Sequence, residues 1–120
     1  LLSTARYSFF HGGHREALLN SHMAIESRVD NRILVSLSEK GLGRRTAENF
    51  LSDTAFGHKL TVCLPALCGV RIDSQLRDRV LNLHGRRNDV AHLGAQVFHR
   101  EASRALSTAK KALAALQDCG

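Results

Sequence analysis

A single apolar stripe over residues 14–38 constrains the fold of this chain more than any other feature. Apolar residues recur there at spacings of four or seven, namely Leu18, Ile25, Val29, Ile33 and Leu37. Such spacing places the side chains on one face of an α-helix. Because a helix of this length must bury its apolar face against other helices, the stripe predicts a helical bundle.

The composition supports the same fold class. Only one proline interrupts the 120 residues, there is no tryptophan, and aromatic residues make up 5%. Alanine and leucine dominate instead, and both are strong helix formers. With 43% hydrophobic residues and no visible linker or repeat, we expect one all-α domain over residues 1–120 with four or five helices. The start at Leu1 fits a domain excised from a longer chain.

Three predicted helices accompany the long one in the first half of the chain. Residues 5–10 form a short helix ahead of the glycines that precede the long one. Thr46 caps a second short helix over residues 47–56. The segment 58–70, "HKLTVCLPALCGV", contains β-branched residues that allow a strand, but no partner strand is evident. A helix that kinks or ends near Pro65 is therefore the better interpretation.

Two further helices are predicted in the second half. Asp73 or Ser74 opens the first, which buries Leu76, Val80 and Leu83, and Gly85 loosens its end. The last helix covers residues 101–117. Its small residues would let a neighbouring helix approach closely, and its apolar side consists of Ala102, Ala105, Leu106, Ala109, Ala112, Leu113 and Leu116.

The charge balance favours an anionic partner. Seventeen Lys and Arg oppose eleven Asp and Glu, which gives a net charge of +6, and thirteen of the cations are arginine. Arginine forms bidentate hydrogen bonds with phosphates, so RNA or DNA is the partner class that this balance suggests. Three cysteines without a CxxC pair, and no apolar run of membrane-spanning length, lead us to expect free thiols and a cytoplasmic protein.

One short segment, "GRRNDVAHLG" at residues 85–94, concentrates the chemistry. On a helix, Asn88 and His92 share a face because they are four residues apart, whereas Arg87 lies about 140° from His92. Arg87 would therefore reach the site from the flank or from a distorted turn. A purely structural alternative is a polar helix end in which Asp89 pairs with a nearby arginine.

The stretch "VLNLHGRRNDVAHLG" resembles the signature of HEPN domains (higher eukaryotes and prokaryotes nucleotide-binding). That signature is an arginine, a polar residue, three further residues and a histidine, which here are Arg87, Asn88 and His92. The segments 14–29 and 101–116 are similar to the long and closing helices of the family. The resemblance implies an all-helical fold and, for many members, metal-independent RNA cleavage by toxins, antiviral defence factors or RNA-processing enzymes.

The resemblance implies a specific set of roles. Arg87, His92 and Asn88 would be catalytic, in a homodimer whose two Arg87–His92 motifs face each other. Imidazole has a pKa near 6.5 and suits proton transfer, while a guanidinium stabilises the charge that develops on a phosphate. Apart from the resemblance, we expect Arg86 to bind RNA together with Arg87, unless Arg86 is a solvated surface arginine. Glu26 would support the motif, unless it forms a surface pair with His22 four residues earlier.

Other readings stay open at this point. The same surface could hold RNA or a nucleotide without cleavage, or the domain could serve only for assembly within a larger regulatory or defence protein. A toxin subset of the family has a tyrosine two residues after the histidine, whereas this chain has Gly94. His11 and His14 in "HGGH" lack further ligands at suitable spacing, so we expect neither a metal site nor any other cofactor. The sequence names no antitoxin or regulatory partner.

Overall fold

The computed structural model describes residues 2–10 and 13–117, and all regular structure in these two ranges is helical. Five helices have nine residues or more, and a short helical run lies between the third and the fourth of them. The elements are α1 (Leu2–Phe10), α2 (His14–Glu39), α3 (Arg44–Asp53), α4 (Phe56–His58), a π-helical turn (Lys59–Cys63), α5 (Leu64–Cys68), α6 (Ser74–Leu93) and α7 (His99–Gln117). The predicted all-α bundle is confirmed.

Helix α2 is the central element of the bundle. It packs against α1, α3, α5, α6 and α7, with α7 as its largest neighbour. The predicted stripe is buried as expected, since Leu18, Ile25, Val29 and Ile33 are fully shielded from solvent. Helix α7 contributes mostly alanines to the same core. Its small side chains allow α7 to pack closely against α2.

Helix α3 begins three residues earlier than predicted. Gly43 occupies the position before the first turn, and no side chain caps the helix there. The prediction that Thr46 is the cap is therefore wrong, and Thr46 lies inside the first turn. An exposed ion pair between Arg44 and Glu48, four residues apart at 2.7 Å, stabilises the first turn of the helix.

The ambiguous segment 58–70 is helical, as predicted, and its irregularity near Pro65 lies just before the proline. Residues Lys59–Cys63 form a π-helical turn, and α5 continues through Pro65 to Cys68. Proline has no N–H for the carbonyl one turn earlier, so the preceding residues widen their hydrogen-bonding pattern. Gly69 then ends the helix in a left-handed conformation with φ of 67°.

The cysteines of the described residues are both free thiols. Cys63 is buried in the core, as predicted, whereas Cys68 is only partly buried. Burial raises the pKa of the Cys63 thiol. Cys119 and His11 lie outside the described residues, and His14 is the first residue of α2.

Helix α6 carries the motif and is more regular than expected. The Asp73 carboxylate caps it by accepting a 3.0 Å hydrogen bond from the backbone N–H of Leu76. The helix runs without a break through Gly85, so the expected loosening there is wrong. It ends at Gly94, which adopts a left-handed φ of 66°. No helix among the described residues is long and apolar enough to cross a bilayer.

Candidate functional site on helix α6

The predicted motif occupies the last two turns of helix α6. His92 is exposed, while Arg87 and Asn88 are partly buried. The Nη1 of Arg87 donates a hydrogen bond of 3.2 Å to Oδ1 of Asn88. Because the helix stays regular from Arg87 to His92, no distorted turn brings the guanidinium towards the imidazole.

The surroundings of His92 leave its imidazole accessible. His92 forms no hydrogen bond or ion pair within the described part of the chain. The neighbouring Leu93 is 78% exposed. The end of α6 therefore presents an accessible imidazole next to an exposed apolar side chain.

Arg86 lies on a different flank of α6 from Asn88. Consecutive helical residues are rotated by about 100°, which places Arg86 roughly 160° from Asn88. Arg86 pairs with Glu101 at the start of α7, and its Nη2 donates a 2.7 Å hydrogen bond to the carbonyl of Gln96. The hydrogen bond to Glu101 raises the pKa of Arg86. Its guanidinium therefore links α6 to α7.

Two histidines that the motif does not include form the polar centre beside it. His22 on α2 and His84 on α6 share a hydrogen bond of 2.9 Å between Nε2 of His22 and Nδ1 of His84. The Phe56 ring stacks on His84 at 4.6 Å between ring centres and lies 5.2 Å from His22. Each imidazole thus has a fixed orientation, because both the hydrogen bond and the aromatic ring restrict it.

The electrostatics of this pair favour neutral rings. Burial, then the nearby His84 and Arg87, lower the pKa of His22 from 6.5 to about 4. Burial also lowers the pKa of His84, against an opposing effect of the Glu26 carboxylate and with a further lowering by Arg87. Two neutral imidazoles can share the bond because one ring donates an N–H and the other accepts it. Arg87 is therefore the cation of this centre.

The neutral pair predicts a loss of stability in mild acid. Below pH 6.5 the unfolded chain protonates His22, whereas the folded chain resists protonation down to about pH 4. The unfolded state then binds more protons, so the free energy of unfolding falls as the pH is lowered through this window. At pH 5 we expect a loss of about 2 kcal/mol relative to pH 7 from this one histidine. Urea denaturation at the two pH values measures it.

A matched pair of variants isolates the effect. His22→Gln keeps a hydrogen-bonding amide next to His84 but cannot titrate, so most of the difference between pH 7 and pH 5 should disappear. His58→Gln removes an exposed histidine at the end of α4 and should leave the difference unchanged. An acid sensitivity that is equal in both variants would place its origin elsewhere in the molecule.

Glu26 approaches the polar centre but not in the predicted way. Its charge acts on His84, the first histidine of the α6 face, and it forms no ion pair with His22 in the described residues. The alternative of a surface pair is wrong because His22 is only 1% exposed. No group of three or more His, Cys, Asp or Glu side chains with a metal-binding arrangement occurs in residues 2–10 and 13–117.

The sequence held signals for the two missed histidines. His84 precedes Asn88 by four residues and His92 by eight, so all three lie along one side of a regular helix. His22 stands between Leu18 and Ile25 inside the apolar stripe of α2. A polar ring at such a position must find a partner in the core, and the facing helix provides it.

Comparison of the chain with the known protein families, the curated proteins and the solved structures gives no match.

Proposed function

We propose that this domain is a metal-independent endoribonuclease of the HEPN type that acts as a homodimer. The observation that carries the proposal is the accessibility of His92, one turn beyond an Arg87–Asn88 pair on the same helix. These side chains supply a proton acceptor and a phosphate-binding cation on one helix.

The proposed reaction uses the ribose of the substrate as nucleophile. The His92 imidazole takes the proton of the 2′-OH, and the O2′ atom attacks the adjacent phosphorus. The bond from phosphorus to O5′ breaks, and O5′ takes a proton from the imidazolium of the second copy. The products are a 2′,3′-cyclic phosphate and a free 5′-OH, so protons and bonds balance without an external reactant.

Two copies serve this reaction better than one. In a single copy, Arg87 points about 140° away from His92 around the helix axis, and no described contact joins them. A twofold axis beside the end of α6 would place the Arg87 of one copy opposite the His92 of the other. The exposed Leu93 supplies apolar surface for such a contact.

The direct test is RNA cleavage in the presence of EDTA. Single-stranded RNA should be cut to products that end in a 2′,3′-cyclic phosphate, and a strand with 2′-deoxyribose throughout should stay intact. Cleavage of both strands would contradict attack by the 2′-OH. Cleavage that requires an added divalent cation would contradict the role given to His92.

A non-catalytic RNA-binding module is the second candidate. The excess of seventeen Lys and Arg over eleven Asp and Glu favours it, because binding of phosphates needs positive charge but no general acid or base. Such a module would bind RNA with a strong salt dependence and give no cleavage at any protein concentration.

A further inference from the structure

A groove lined by arginines lies between helices α6 and α7, on the flank of α6 away from the histidine pair. It encloses about 600 Å³ and is open to solvent along one side. Apolar side chains form its floor, among them Leu18 of the central helix, Leu83 and Ala105. Its size is within the range of binding sites for small molecules or short segments of a longer ligand.

Most of the arginines that line the groove form no ion pair within the described part of the protein. Four arginines and one glutamate line it, and Glu101 already pairs with Arg86. Arg79, Arg100 and Arg104 form no ion pair among the described residues. Three unpaired guanidiniums around one small groove repel each other, so an anionic ligand would relieve this repulsion.

Two other side chains give the groove features beyond charge. Phe98 lies at one end and is 63% exposed, which leaves its ring face available to a flat group. Thr108 lies on the lining at 2% exposure, and its hydroxyl has no hydrogen-bond partner in the described part of the chain. A ligand that combines flat rings, hydroxyl groups and repeated negative charges matches this set.

We propose that the groove binds single-stranded RNA that extends around the end of α6 from the cleavage site, with phosphates on Arg79, Arg100 and Arg104 and one base stacked on Phe98. A cationic groove with an aromatic platform is the usual way to hold a single strand without reading its sequence. The placement rests on the proposed function, because it takes His92 as the point of cleavage.

The connection between the helices supports a continuous path. Helix α6 ends at Leu93 and α7 starts at His99, so Phe98 at one end of the groove is the sixth residue after His92. The two helices then run back side by side, with Arg79 seven residues before Arg86 and Arg104 four after Arg100. Because Arg86 lies about 120° from His92 around α6, a strand that leaves His92 must round the end of this helix before it passes Phe98 and follows the arginines.

Binding of an uncleavable 2′-O-methyl RNA of twelve nucleotides, followed by fluorescence anisotropy at several salt concentrations, tests the proposal. The double variant Arg79→Ala/Arg104→Ala should raise the Kd at least about tenfold and reduce the salt slope by about 1.4, for two phosphate contacts on a single strand. Phe98→Ala should raise the Kd about fivefold or more at unchanged slope.

The matched control removes the same charge elsewhere. Arg45 on α3 and Arg71 before α6 are exposed, and Arg45→Ala/Arg71→Ala should change the Kd by less than about a third of the groove effect. Equal losses in the two double variants would overturn the groove as a site. So would competition by ATP or by polyglutamate as strong as that by unlabelled RNA, since these results would indicate a nucleotide pocket or an acidic protein partner.

The test separates this inference from the proposed function. If the chain cuts no RNA but the groove variants weaken binding selectively, the groove is an RNA site and the catalytic proposal fails. If RNA is cut and the groove variants neither bind more weakly nor raise KM, the groove proposal fails and the catalytic one stands. Circular dichroism of each variant, compared with the parent, checks that the helices are intact. The charge reversal Arg104→Glu is a second test of the phosphate contact and should also raise the Kd.

Discussion

The His92→Ala variant should lose RNA cleavage by about a hundredfold or more while it keeps its fold. A positioned general acid or base contributes a factor of about 10² to 10⁴, and in the proposed dimer this one substitution removes both the acid and the base. His92 is exposed and forms no hydrogen bond or ion pair in the described residues, so its removal should leave stability nearly unchanged. Cleavage of a fluorescent RNA under single-turnover conditions measures the loss.

A second histidine variant provides the comparison. His58→Ala removes another exposed imidazole, at the end of α4 and outside the motif, and should cut RNA at the parental rate. If His92→Ala also cuts at the parental rate, the catalytic role of the motif is wrong. If His92→Ala loses both activity and helicity, His92 contributes to folding, which would contradict its exposed position and the catalytic interpretation of the lost activity.

The parts of the fold that depend on periodicity could be predicted from the sequence. The spacing of the apolar residues predicted helix α2 almost to the residue, and Asp73 predicted the start of α6 because its carboxylate caps the first turn. These features depend on neighbouring residues of the same helix. The spacing of residues close in sequence is therefore enough to predict the extent of α2 and the start of α6.

The parts that depend on contacts between helices could not be predicted in the same way. The bond between His22 and His84 joins residues 62 apart, and no local pattern specifies which helices will meet. The same applies to Arg86, which pairs with Glu101 on the next helix. The adjacent residues Arg86 and Arg87 thus have separate roles. Arg86 connects α6 to α7, and Arg87 provides the positive charge beside the histidine pair.

The contact between α2 and α7 shows how small residues determine the arrangement of the bundle. Ala102, Ala109 and Ala112 of α7 are fully buried, while Ala114 of the same helix is exposed. Because packed interiors leave few voids, we expect little room beyond a methyl group at these positions. The alanines therefore set the distance between the two helices.

Ala109→Leu should destabilise the protein by about 2 to 3 kcal/mol, because the added carbons must displace α7 from α2 or force strained rotamers. Ala114→Leu makes the same chemical change on the exposed side of α7, and its effect should stay within about 0.5 kcal/mol. Leucine and alanine both favour helices, so intrinsic propensity cannot produce the difference. Urea denaturation of both variants beside the parent measures it. Equal midpoints for Ala109→Leu and Ala114→Leu would mean that α2 and α7 are not in close contact, and the position of the arginines that α7 contributes to the groove would then be wrong as well.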